Sequence, residues 1–138
     1  MHMNTPISPW TDQAERTSPD GRYQAIFDKG MEVAMGAPTL GRLRVIRLDE
    51  PKGEFLITDD AAASMVWSDD SQFLAFSKWR MKKKQSLCVL RVSNMNIDES
   101  PDEFRVLELR SFSGGRIKGI DSPVYQPRTF ALKYIDEP

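Results

Sequence analysis

The sequence predicts an all-β chain of two antiparallel sheets with almost no helix. Three observations predict it: a phrase used twice, short alternating runs between turn residues, and no apolar period of 3.6 sustained over three turns. The phrase is "TSPDGRYQAIFDKG", echoed by "VWSDDSQFLAFSKW" at residues 66 to 79. Ser18-Pro19-Asp20-Gly21 aligns with Ser68-Asp69-Asp70-Ser71 at a constant offset of 50, which also sets Tyr23 against Phe73 and Ala25 against Ala75. A repeat that keeps aromatic and small residues in step is an architectural signal before it is a chemical one.

Residues 1 to 16 are polar, hold Pro6 and Pro9, and offer Trp10 as their large apolar anchor. They read as a loose arm, and "MHM" as a remnant of cloning outside the fold. The first unit, 17 to 63, opens on the Pro-Asp-Gly turn and a strand that alternates Tyr23, Ala25 and Phe27 with Gln24, Ile26 and Asp28. "RLRVIRL" (42 to 48) follows, with a slip at Val45-Ile46 that predicts a bulge, and then "EFLIT" (54 to 58) after Pro51-Lys52-Gly53. The second unit, 64 to 110, comprises "SMVWS", the strand around Phe73 and Ala75, "LCVLRV" (87 to 92) and "EFRVLEL" (103 to 109). "LCVLRV" is apolar on both faces and belongs inside a sheet covered on both sides. Residues 111 to 138 supply closing strands, with "GGRIKGI" (114 to 120) placed to pair with "FALKYI" (130 to 135). The whole is one domain of about nine strands, within the usual size of a single hydrophobic core.

The pattern of these units resembles the TolB-type propeller repeat: a strand ending in Trp-Ser, an Asp-rich or Pro-Asp-Gly turn, aromatic-x-Ala, and a hairpin into "Leu-x-Val-Leu". The copy at 64 to 109 has Asp69 and Ser71 where the usual pattern has Pro and Gly; the copy at 17 to 58 lacks a clear preceding strand. The resemblance implies two blade-like antiparallel β-sheets, an incomplete propeller or sandwich-like arrangement, since propellers close with ~4–8 blades. "MEVAMGAPTLGRLRVI" (31 to 46), just before such a blade, is similar to small two-blade bacterial immunity proteins of polymorphic toxin systems. That likeness implies a protein that binds and blocks one cognate toxin, the C-terminal domain of a neighbouring gene product.

Composition limits the chemistry. The 19 Lys and Arg against 20 Asp and Glu leave a formal charge of -1, which argues against a nucleic-acid coat or a membrane-surface protein. No apolar run approaches the length of a membrane span, so a cytoplasmic protein is expected. Cys88 is the single cysteine and lies in an apolar run, where a buried inert thiol is expected. With His2 the only histidine, Ser-His-Asp and Cys-His arrangements and the usual zinc sites fail on inventory. Asp59-Asp60 and Asp69-Asp70 do not have calcium-loop spacing, and "SFSGGRIKG" lacks the strand-to-helix context of a phosphate loop. The expectation is a non-enzyme with no cofactor and no metal.

Two segments stand out. "WRMKKKQ" (79 to 85) is either a solvated hairpin tip or a surface for an acidic partner, with Trp79 and Met81 as apolar anchors and Arg80 as forked donor. The 31 to 41 loop is longer than a hairpin needs and mixes Met31, Met35 and Leu40 with Gly and Pro; it is either folded back as core or a contact surface. The expected partner-binding residues are Glu32, Met35, Trp79, Arg80, Lys82 and Lys83. No nucleic-acid or membrane partner is expected, and a homodimer is compatible with this reading. The alternative is a scaffold subunit whose partial propeller is completed by another chain.

Overall fold

The computed structural model of the chain describes residues 6–32, 37–80, 84–122 and 126–131. Among these residues ten strands run in order: β1 Ala14–Thr17, β2 Tyr23–Glu32, β3 Thr39–Arg47, β4 Gly53–Trp67, β5 Phe73–Trp79, β6 Gln85–Arg91, β7 Asn96–Phe104, β8 Val106–Ser113, β9 Arg116–Ser122 and β10 Gln126–Ala131. β1 to β7 form one sheet in sequence order and β8 to β10 a second, all pairs antiparallel. No helix occurs among the described residues, and none there is long and apolar enough to cross a membrane. The all-β, antiparallel expectation holds.

The strands are shared between the sheets differently from the two units read in the sequence. β4 is the reason. Its first part pairs with β3 as far as Ala61 and its second with β5 from Ala61 onward, so the boundary expected at 63/64 falls inside a continuous strand. β4 also carries surplus residues: five steps (61 to 56) oppose three of β3 (41 to 44), and four (61 to 65) oppose two of β5 (78 to 76). Surplus on one strand bends it. The run Ala61-Ala62-Ala63-Ser64 at the bend is buried, and its small side chains let the sheet fold back at close range.

The folded sheet therefore makes two layers, and β8 to β10 make a third. Between the first and second lie Phe27, Leu43 and Val45 against Leu74, Phe76, Cys88 and Leu90. Between the second and third lie Phe73, Ala75, Leu87 and Val89 against Leu107, Leu109, Phe112 and Ile117. β5 and β6 are thus buried on both faces, as the two-sided apolar run predicts.

Several local expectations are corrected. Residues 14 to 17 are not arm but strand β1, and the segment before them is pinned: Ile7 is buried, Pro9 O accepts the Thr39 N–H at 3.2 Å, and Asp12 O accepts that of Gly30 at 3.2 Å. A Cβ at Gly30 would stand 2.8 Å from the Asp12 Cα, so only glycine permits that approach. The bulge expected at Val45-Ile46 is absent, because those residues pair regularly with Ala25 and Gln24 on one side and with Phe55 and Glu54 on the other; the breaks in the β3–β4 ladder lie at Gly41/Leu43 and at Leu43/Arg44, the second with Ile57 as the extra residue of β4. "EFRVLEL" is not one strand: Phe104 ends β7, Arg105 breaks the run, and Val106 starts β8 in the other sheet. In the tail, Arg116–Asp121 does pair, but with Gln126–Ala131, so of the expected partner strand 130 to 135 only Phe130 and Ala131 are found in it, and 132 to 135 lie outside the described residues. Trp10, expected to pack, is 45% exposed.

Candidate functional site

The repeated phrase builds the same turn twice. In the first copy the Ser18 hydroxyl donates to Asp20 Oδ1 at 2.7 Å and accepts the Tyr23 N–H at 3.1 Å, while Asp20 Oδ1 also accepts the Arg22 N–H. In the second, Ser68 donates to Asp70 Oδ1 at 2.6 Å and accepts the Phe73 N–H at 3.0 Å, and Asp70 Oδ1 accepts the Gln72 N–H. Gly21 and Ser71 hold the same left-handed position, with φ of 75° and 65°. Serine is strained there. Its hydroxyl gives the reason for its presence: Ser71 Oγ accepts the Asp20 N–H at 2.9 Å, tying the turn of one layer to that of the next.

The tie repeats outward. The Asp69 N–H donates to Phe112 O at 3.0 Å, the Tyr23 ring lies 6.3 Å from that of Trp67, and the Phe73 ring lies 6.3 Å from that of Phe112. Phe112-Ser113 thus stands in the third layer where Trp67-Ser68 stands in the second. Gly114-Gly115 makes its two-residue turn with both φ positive, the backbone that hairpins of this length favour. This third copy was missed in the sequence; an aromatic-Ser pair before Gly-Gly was the available signal.

At the turn end, an open groove of about 830 Å³ runs between β1 and β8 over a floor of Val66 and Trp67. Of the backbone lining it, Arg16 O accepts the Trp67 indole N–H at 2.9 Å. In the core beside it, the Leu107 N–H donates to Gln85 Oε1 at 2.8 Å and the Leu109 N–H to Ser64 Oγ at 2.7 Å. Buried Gln85 and Ser64 thus each accept a backbone N–H of β8, while Gln85 Nε2 has no hydrogen-bond partner among the described residues.

The segments singled out in the sequence meet at the opposite end of β2 and β5. Of the 31 to 41 segment, Met31 and Glu32 end β2 and 39 to 41 begin β3, with Met31 paired to Leu40 and Glu32 to Thr39, while 33 to 36 lie outside the described residues. The Trp79 indole N–H donates to Thr39 O at 3.0 Å, so the β2–β3 and β5–β6 hairpins are stapled together. Trp79 is 6% exposed; its expected role as an exposed anchor is corrected, because its ring serves this junction between layers. Arg80 is half-buried and turned onto β7, with Nε 2.7 Å from Glu99 Oε2, Nη2 3.0 Å from Ser100 O, and Nη1 3.5 Å from Glu103 Oε2. This neighbour holds the Glu99 carboxyl below its ordinary value and raises the guanidinium's. Glu32 is exposed at the end of β2, while Met35, Lys82 and Lys83 lie outside the described residues.

Of the acids weighed as chemical groups, the Asp60 and Asp70 carboxylates and the Asp69 backbone have structural duties. Asp70 closes its turn, Asp69 bonds the third layer through its N–H, and Asp60 accepts a hydrogen bond from the Thr58 hydroxyl. Among the described residues no group of three His, Cys, Asp or Glu side chains is placed to hold a metal ion. Cys88 is buried, and burial pushes its thiol up to about 12.

The outward face of the first layer differs from the corresponding face of the second. Leu74, Phe76, Cys88 and Leu90 in the second layer correspond, by offset and pairing, to Gln24, Ile26, Arg44 and Ile46 in the first. Arg42 and Arg44 meet Asp28 at 3.1 and 2.9 Å, and Arg44 meets Glu54 at 3.1 Å. An ion network lies where the buried layer has hydrocarbon. No protein-family model and no curated protein matches the chain.

Proposed function

We propose that the chain is a non-catalytic protein-binding module, an immunity protein that neutralises a cognate bacterial toxin by occluding it in the cytoplasm. The observation that carries this reading is the Trp79–Thr39 staple, which holds the two segments singled out in the sequence side by side on a rigid core. A preformed surface binds without the entropy cost of ordering its loops. On this reading Glu32, Met35, Lys82 and Lys83 are the contact residues, with Trp79 and Arg80 as supports at the described ends of β2, β3 and β5. A ring-completing scaffold is less well served, since stacking another blade on the first layer would bury the Asp28–Arg42–Arg44–Glu54 network.

The test is co-expression with the toxin domain of the neighbouring gene. Wild-type chain restores growth, Glu32→Lys with Lys82→Glu and Lys83→Glu loses rescue while staying folded, and no rescue by wild type refutes the reading.

A further inference from the structure

Two tryptophan-bearing segments meet Thr39 from opposite sides. Trp79 reaches Thr39 O from the core. Trp10 belongs to the N-terminal segment that meets it from outside: Pro9 O accepts the Thr39 N–H at 3.2 Å, Thr11 O accepts the Thr39 hydroxyl, and Asp12 O accepts the Gly30 N–H at 3.2 Å. Ile7 and Pro9 are buried, so alternation along the segment turns Trp10 outward, 45% exposed on a backbone held at both neighbouring residues. Because Thr39 pairs with Glu32, the indole stands beside the proposed contact surface. Among the described residues Met31, 61% exposed, is the other large apolar side chain open to solvent at this end; Leu48, Phe55, Leu56 and Ile97 lie at the middle or the turn end of the sheet.

The charges on the two segments select what the indole can take. Asp12 and Glu32 are exposed beside it, while Lys29, also exposed, stands with Arg42 and Asp59 around a recess on the outer face of the first layer. An aromatic face flanked by carboxylates attracts a guanidinium or ammonium twice, through the ring quadrupole and through charge. An acidic group is repelled there, and an apolar one gains nothing from the acids. We propose that Trp10 is the aromatic anchor of the partner surface and receives an arginine or lysine of the toxin domain, with Asp12 and Glu32 flanking that cation. The proposal rests on the toxin-binding reading and adds to it a residue and the charge of the group it meets. Because the backbone around Trp10 is pinned before the partner arrives, little ordering is left to oppose the contact, and one side chain can carry a large share of the affinity.

Co-expression with the toxin domain of the neighbouring gene, joined to fluorine NMR of the full chain labelled with 5-fluorotryptophan, tests it. The chain has three tryptophans, and the signal lost in Trp10→Phe assigns Trp10. On addition of unlabelled toxin domain the Trp10 signal is expected to shift and to lose its broadening by a soluble paramagnet, while those of Trp67 and Trp79 keep their positions. Trp10→Ala, at an exposed position, is expected to keep the wild-type melting temperature and to weaken binding roughly thirtyfold or more, and Trp10→Phe, a poorer seat for a cation, to weaken it less. Asp12→Lys, which sets a like charge against the incoming cation, is expected to weaken binding roughly tenfold or more. If the wild type neither binds nor rescues, the toxin-binding reading fails and this inference with it. If the wild type rescues while Trp10→Ala binds as tightly, the Trp10 signal stays in place, or Asp12→Lys binds equally well, this inference alone is overturned.

Discussion

At the residue scale, burial and pairing decide what each polar group does. Cys88 is fully buried in the first interlayer core with its thiol pushed up to about 12, so a neutral-pH thiol reagent finds little thiolate and no access. Labelling should follow unfolding, with negligible modification of the native protein over hours and rapid modification in denaturant. Glu99 gives the acid dependence. Its carboxyl is lowered from 4.5 first by the Arg80 hydrogen bond, with Ser86 and Lys78 contributing and burial opposing. A lowered folded pKa means that the unfolded chain binds the proton more readily. The contribution is therefore complete above the unfolded value near 4.5 and lost as pH falls through the folded one. Chemical denaturation of Glu99→Gln should show lower stability than wild type at pH 7 and a smaller loss between pH 5 and 3.

At the element scale, the serine of each repeated turn satisfies a strand N–H that burial would otherwise strand. Ser18 and Ser68 are both buried, so alanine at either leaves an N–H without its partner and should cost about 1–3 kcal/mol in equilibrium unfolding. Trp79→Ala removes both packing and the staple between hairpins and should cost about 3–5 kcal/mol in the same assay. β2, β3, β5 and β6 were legible because one or both of their faces are buried and alternation records it. β7 was not, because an edge strand facing solvent needs acids and proline more than apolar alternation. β4 was read as two strands, since Asp59-Asp60 and the small residues after them interrupt the alternation, yet Ala61 within that stretch still pairs with both Gly41 and Lys78. Of the expected contact residues, the sequence located the hairpins but could not show that Trp79 and Arg80 face inward. Their type suits an interface and a buried junction equally, and only Thr39 O and the acids of β7 decide between the two.

At the scale of the whole molecule, one repeated phrase specifies a stack. Each copy places an aromatic on the next layer and bonds its turn to it, by Asp20 to Ser71 and then Asp69 to Phe112. The first layer ends the stack with an ion network, and the Trp79 staple joins β2–β3 to β5–β6 beneath the proposed contact surface. In the proposed function, affinity resides in a few contacts on that surface and stability in the staple beneath it. The most direct measurement is growth of cells expressing the toxin domain of the neighbouring gene with wild-type chain, with Glu32→Lys/Lys82→Glu/Lys83→Glu, and with no chain. Rescue by the wild type alone is the result this account predicts; killing in all three cultures, or rescue undiminished by the triple variant, would contradict it.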